Sequence, residues 1–96
     1  MAGLSMNYKI VFTKDVEKAI KKWKRSNKPL FDKLKKVLNS IMETPREGIG
    51  HPEAMKGGNN ITYSRHVTAH DRIIYNVFDD TITVVVIEVG GHYNDK

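Results

Sequence analysis

The period of the apolar residues changes once along this chain, near residue 44, and that change limits the folds open to it. Before it, apolar side chains recur at helical spacing. Val16, Ala19, Ile20 and Trp23 fall at i, i+3, i+4 and i+7, which predicts an amphipathic helix over residues 14–26. Thr13 is placed to cap that helix, and Asp15 and Glu17 put negative charge in its first turn. Asn27-Lys28-Pro29 interrupts the pattern, and Pro29 suits the first turn of a second helix that runs to about residue 43. Leu30, Leu34, Val37, Leu38, Ile41 and Met42 make its stripe, with Phe31 at the margin, and Pro45 ends it. After residue 60 the composition turns to Val, Ile, Thr, Tyr and Phe, which predicts strands at 61–68, 72–78 and 81–89, with Asp79-Asp80 as a tight turn. Residues 7–12 predict one short strand ahead of the helices. Neither helical stripe lasts three heptads, so the helices pack on the sheet instead of coiling together. The order strand, helix, helix, three strands is α+β, with both helices on one sheet face.

With 96 residues the chain has room for one core, so residues 1–96 read as a single domain, residues 1–6 being a candidate flexible extension. There is no cysteine, which excludes disulfides, thiolate metal sites and cysteine nucleophiles and suits a reducing cytoplasm. No apolar run approaches the ~20 residues of a membrane span, and MAGLSMNYK lacks the core of a secretory signal. The net charge of +5 is unevenly spread: residues 1–40 carry 11 basic and 3 acidic side chains, residues 41–96 carry 5 and 8. A positive N-terminal half attracts polyanions, with a nucleic-acid backbone or an acidic protein as partner; a merely solvated lysine face is equally compatible.

Residues 44–60, TPREGIGHPEAMKGGNN, hold two prolines and four glycines and predict an irregular, functional loop. Known motifs do not explain it. Gly48-x-Gly50 sits in no βαβ unit, no phosphate-binding P-loop exists, and His51-x-Glu53 lacks the cysteine pair of a zinc deaminase. The four histidines are too scattered for a structural zinc site. What remains is a set of polar groups in strands and loops: Glu53 and Lys56 in the loop, Arg65 and His66 within a strand, Arg72 opening the next, and His92 and Tyr93 after the last. Strand alternation puts Tyr63 and Arg65 on one face and Ser64 and His66 on the other, so only one of Arg65 and His66 faces a given site. Read alone, each has a plain structural alternative, such as a Glu53–Lys56 pair or Arg72 paired with Asp71 or Glu88.

Taken in order, P-R-E-G-I-G-H-P-E-A-M-K, Y-S-R-H, H-D-R-I-I-Y and a terminal G-H-Y resemble the YoeB/Txe branch of the RelE superfamily of toxin–antitoxin mRNA interferases, over residues 7–93. The resemblance implies a RelE-like fold, a small mainly antiparallel sheet with two N-terminal helices on one face. It also implies a cytoplasmic, ribosome-dependent endoribonuclease that cuts mRNA in the A site without metal or cofactor, the 2′-hydroxyl attacking the adjacent phosphate. By the same resemblance Glu53, Arg72, His92 and Tyr93 are catalytic, while Lys56, Arg65 and His66 contact RNA. Its implied partners are the ribosome and mRNA, a YefM/Phd-like antitoxin with an acidic tail, and promoter DNA through the antitoxin complex; it allows a homodimer. Two departures stand out. The family has Ser-Arg-Arg where this chain has Ser64-Arg65-His66, and Asn94, Asp95 and Lys96 follow Tyr93.

The chemistry suits these residue types: a base for the 2′-hydroxyl (Glu53), an acid for the leaving oxygen (His92), and cations for the charge on phosphorus. Two rivals remain. One is a weakened relative, with His66 as the lesion, acting as an antitoxin-binding module and co-repressor. The other is a gyrase poison on the same fold, which has no use for Glu53 and His92 together.

Overall fold

The structure, a computed structural model, describes residues 7–55 and 61–91. Seven elements follow one another: β1 (Lys9–Phe12), α1 (Lys14–Ser26), α2 (Lys28–Glu43), β2 (Glu53–Ala54), β3 (Thr62–His66), β4 (Asp71–Phe78) and β5 (Thr83–Gly91). The strands form one sheet in the order β1-β5-β4-β3-β2, with β1 parallel to β5 and the other pairs antiparallel. This is the α+β architecture expected, two helices against a mostly antiparallel sheet. No helix among the described residues is long and apolar enough to cross a membrane.

The helix boundaries have local causes. Thr13 Oγ1 accepts from the Val16 N–H at 3.3 Å and caps α1. Asn27 serves both helices: its N–H donates to the Trp23 carbonyl at 2.8 Å, and its Oδ1 accepts from the Leu30 N–H at 3.3 Å. One residue thus ends α1 and starts α2, which makes the hairpin tight. Val16, Leu34, Val37 and Ile41 from the helices meet Tyr63, Ile73, Tyr75, Val77, Val84 and Val86 from the sheet in a single core. Trp23 packs half-buried at its margin. The lysines of α1 and α2 take the outer faces, where they stay hydrated.

Alternation along the strands sorts the sheet into two faces. Tyr63, Arg65, Ile73, Tyr75 and Val77 are buried toward the helices. The register pairs Glu53 with Ser64, Ser64 with Ile74, His66 with Arg72, and Arg72 with Gly90 on the opposite face. A bulge between Ile74 and Tyr75 admits Ile87 as an extra residue of β5.

Several strand boundaries differ from the sequence reading: β1 begins at Lys9, β4 at Asp71, and β5 runs on to Gly91. β3 stops at His66, because the Val67 and Thr68 N–H groups both donate forward to the Asp71 carbonyl and close a turn. β5 begins at Thr83: Ile82 takes a left-handed conformation (φ 49°), donates to the Asp79 carbonyl and accepts from the Lys9 N–H. The loop expected to be irregular contains the two-residue strand β2, paired through backbone bonds that no side-chain pattern announces.

Candidate functional site

The site face is built from the edge of the sheet inward. β2 is the edge strand, and it carries Glu53. Across from Glu53 stands Ser64, and beyond it Ile74, both buried, forming a floor. The next row holds His66, half-buried, and Arg72, exposed, with Gly90 on the far side. Two strand spacings and two residues of rise separate the Glu53 and Arg72 Cα atoms, about 12 Å. Both side chains are long enough to reach toward a group held between them. The last described residue, Gly91, pairs with Asp71, so β5 runs to the Arg72 end of the sheet.

Among the described residues Arg72 makes no side-chain hydrogen bond or ion pair; neither Asp71 nor Glu88 holds it. Asp71 instead accepts from Thr68 Oγ1 at 2.8 Å. Glu53 and His66 are likewise without a side-chain partner among the described residues. Among the described residues this arginine and this carboxylate share one face with no bond between them. Lys56, His92 and Tyr93, expected as part of the same site, lie outside the described residues.

Arg65 requires a correction. It was expected to contact RNA, but it is 1% exposed and points to the helix-covered face. All of its donors are engaged: Nε to Tyr75 Oη at 2.9 Å, Nη1 to Ser40 Oγ at 2.7 Å and the Ile49 carbonyl at 3.1 Å, and Nη2 to the Thr44 and Glu47 carbonyls at 2.6 and 2.7 Å. A guanidinium has five N–H groups, so none remains for a phosphate. Burial pushes the Tyr75 phenol above its usual range, an effect that the neighbouring Arg65 charge partly offsets.

A second polar cluster ties the loop to the opposite end of the sheet. Arg46 donates through Nη1 and Nη2 to both Asp79 carboxylate oxygens at 3.0 Å, and through Nε to Tyr63 Oη at 3.2 Å. The Tyr8 hydroxyl donates to Asp79 Oδ1 at 2.7 Å. These bonds hold the Asp79 carboxyl below the usual carboxylate range, Arg46 contributing most and Tyr8 next. Sequence reasoning missed this clasp, because an exposed Arg and Asp 33 positions apart leave no local signature. Among the described residues no three His, Asp or Glu side chains converge as metal ligands. Lys33, Lys36, His51 and His66 rim an open groove of about 470 Å³ between α2 and the loop.

Comparison with known proteins agrees with this fold. Residues 12–93 match the family described as the YoeB-like toxin of bacterial type II toxin-antitoxin systems. The toxin YoeB of Escherichia coli K12 is 31% identical over 62 residues, which cover 65% of this chain and 74% of that protein. The mRNA interferase toxin RelE of the same strain is 28% identical over 74 residues, covering 77% of this chain and 75% of that one. Among solved structures, a YoeB/ParE toxin from Agrobacterium tumefaciens superposes with a TM-score of 0.80 at 29% identity, over 88% of this chain and 99% of that one. The toxin of a YoeB–YefM complex from Staphylococcus aureus gives 0.77 at 29% identity, over 90% and 98%.

Proposed function

The chain belongs to the YoeB-like toxins of bacterial type II toxin–antitoxin systems, and from that membership we propose that it is a ribosome-dependent endoribonuclease that cuts mRNA in the A site. The observation that carries the proposal is the shared sheet face of Glu53, His66 and Arg72. Glu53 takes the proton of a ribose 2′-hydroxyl, and that oxygen attacks the adjacent phosphorus. Arg72, with Lys56 and His66, stabilises the charge that builds on the non-bridging oxygens. His92 donates a proton to the departing 5′-oxygen, and Tyr93 stacks on a base or orients His92. The bond to the 5′-oxygen breaks as the bond to the 2′-oxygen forms, leaving a cyclic phosphate and a 5′-hydroxyl. The proton balance closes on Glu53 and His92, so the scheme calls on no metal ion.

The partner in this reading is a YefM-like antitoxin with an acidic tail. It is supported by the complex of the Staphylococcus aureus relative and by the excess of lysine on the two helices. The toxin would act in the cytoplasm, where the ribosome is, and reach promoter DNA only through the antitoxin.

The test is a translation reaction with mapped cleavage. Wild-type protein should cut ribosome-bound message, and Glu53→Gln, Arg72→Ala and His92→Gln should each lose about 10²–10⁴-fold in rate. Glu53 and Arg72 are exposed, so their variants should keep the wild-type melting temperature. One observation favours a second reading: His66 stands where the family has an arginine, as expected of a weakened relative that mainly binds antitoxin. Intact message from folded wild-type protein that still binds antitoxin would select that reading.

A further inference from the structure

Arg65 has left the RNA surface, yet its side chain is attached to the segment that carries Glu53. We propose that Arg65 is a positioning residue for the cleavage reaction: its guanidinium holds residues 44–50 in the one shape that delivers Glu53 to the site face. The proposal rests on the reading of Glu53 as the general base.

Three carbonyls from one short stretch, those of Thr44, Glu47 and Ile49, converge on this single guanidinium. Residues 44–50 form neither helix nor strand, so side-chain bonds must supply much of what fixes their backbone. The loop also comes very close. Gly48 (φ 121°) would place an added Cβ 3.1 Å from Arg65 Nη1 and into Ser40 Oγ, and Gly50 (φ 85°) would place one 2.6 Å from the His66 carbonyl. Electrostatics explains how a buried cation is tolerated with no carboxylate paired to it among the described residues. α2 ends at Glu43 without a basic residue in its last turn, and its C-cap residue, Thr44, gives its carbonyl to Arg65. The guanidinium therefore supplies the positive charge that a helix C-terminus favours.

The link to Glu53 runs through three consecutive residues of β3. The Arg65 side chain holds residues 44–49, the His66 N–H donates to the Gly50 carbonyl at 2.7 Å, and Ser64 pairs with Glu53. β2 is only two residues long, so its own pairing specifies register weakly. A slip of one residue would turn the Glu53 side chain to the other face. The caged loop fixes how many residues lie between α2 and the pairing position, and so forbids the slip. Lysine cannot replace arginine here, since an ammonium offers three donors from one point instead of a planar fork of five.

The experiment compares wild type, Arg65→Lys and Ser40→Ala in cleavage of ribosome-bound message, alongside amide hydrogen exchange and thermal unfolding. Arg65→Lys should lose about 100-fold in kcat, as expected for a base displaced by about 1 Å, with KM changed less than about 3-fold. Amides of 45–55 should exchange faster while those of α1 and β5 keep their protection. Ser40→Ala, which removes one acceptor of five, should show a smaller loss of the same kind, and it carries the test if Arg65→Lys fails to fold. Folded variants that cut at the wild-type rate overturn the proposal. So does a rise in KM with kcat intact, which would make Arg65 an RNA ligand, and so does a loss that merely tracks the unfolded fraction. Wild-type protein that leaves message uncut fails the nuclease reading itself, a result separable from active variants.

Discussion

Replacing Tyr75 with phenylalanine tests the buried polar network at its narrowest point. The Tyr75 ring is fully buried, and its hydroxyl both accepts from Arg65 Nε at 2.9 Å and donates to the Pro45 carbonyl at 2.7 Å. Phenylalanine keeps the ring and its packing, so no cavity of consequence opens. What is lost is one oxygen, and two groups lose a partner: a buried guanidinium N–H and the carbonyl of a buried proline. Each orphaned group costs about 1–3 kcal/mol, the charged one toward the upper end, so the change should destabilise by about 3 kcal/mol. For a domain of this size that corresponds to a fall in Tm of roughly 12–24 °C. The assay is urea unfolding at fixed salt, read as a shift in midpoint at unchanged slope. A double-mutant cycle makes the reasoning sharper. In the Arg65→Lys background the Nε donor is already gone, so Tyr75→Phe should cost at least about 1 kcal/mol less. A shift below about 1 kcal/mol in the wild type, or equal costs in both backgrounds, would refute the argument that this hydroxyl bridges the strand and the loop.

Other perturbations separate the remaining parts. Burial raises the Tyr75 phenol, so its contribution to stability is complete below about pH 10 and is lost as pH rises through the higher folded value; the urea midpoint should fall above pH 10, and less steeply in Tyr75→Phe. Asp79 runs the other way: Arg46, then Tyr8, depress its folded pKa, so its contribution is present above about pH 4 and is lost as pH falls through the lower value. Asp79→Asn should flatten the fall in Tm on the acid side, with a small, salt-screened effect because the pair is exposed; a variant that keeps the wild-type acid slope would contradict this. His66→Arg should raise cleavage, because arginine is longer and offers a planar fork of donors to a phosphate; an unchanged rate would remove position 66 from the site.

How much of this was legible in the sequence depends on what each feature is made of. The helices are written in side-chain spacing and in the caps Thr13 and Asn27, and they form where the stripes predict. The two faces of β3 and β4 follow from alternation alone. The strand β2 was not legible, because its partner is backbone and its two residues have no period. The left-handed Ile82 ran against its own propensity, held there by the Lys9 and Asp79 backbone groups. Arg65 was misread for a related reason. A strand cation suggests an anion outside, whereas its acceptors here are carbonyls and hydroxyls, which any sequence can supply.

The two strand arginines differ first in burial: Arg65 is buried and Arg72 exposed. Arg65 lost its hydration on folding and regained it as five bonds to neutral acceptors, so it has no donor to lend. Arg72 kept its hydration, and nothing among the described residues competes for it. Its neighbour on β5 reinforces this. A Cβ on Gly90 would meet nothing within 4 Å, so packing does not call for glycine there; the backbone does, at φ 128°. Among the described residues nothing therefore stands beside the Arg72 side chain on the β5 side. On this sheet position 65 has no donor left over, while position 72 is exposed and has no side-chain partner among the described residues.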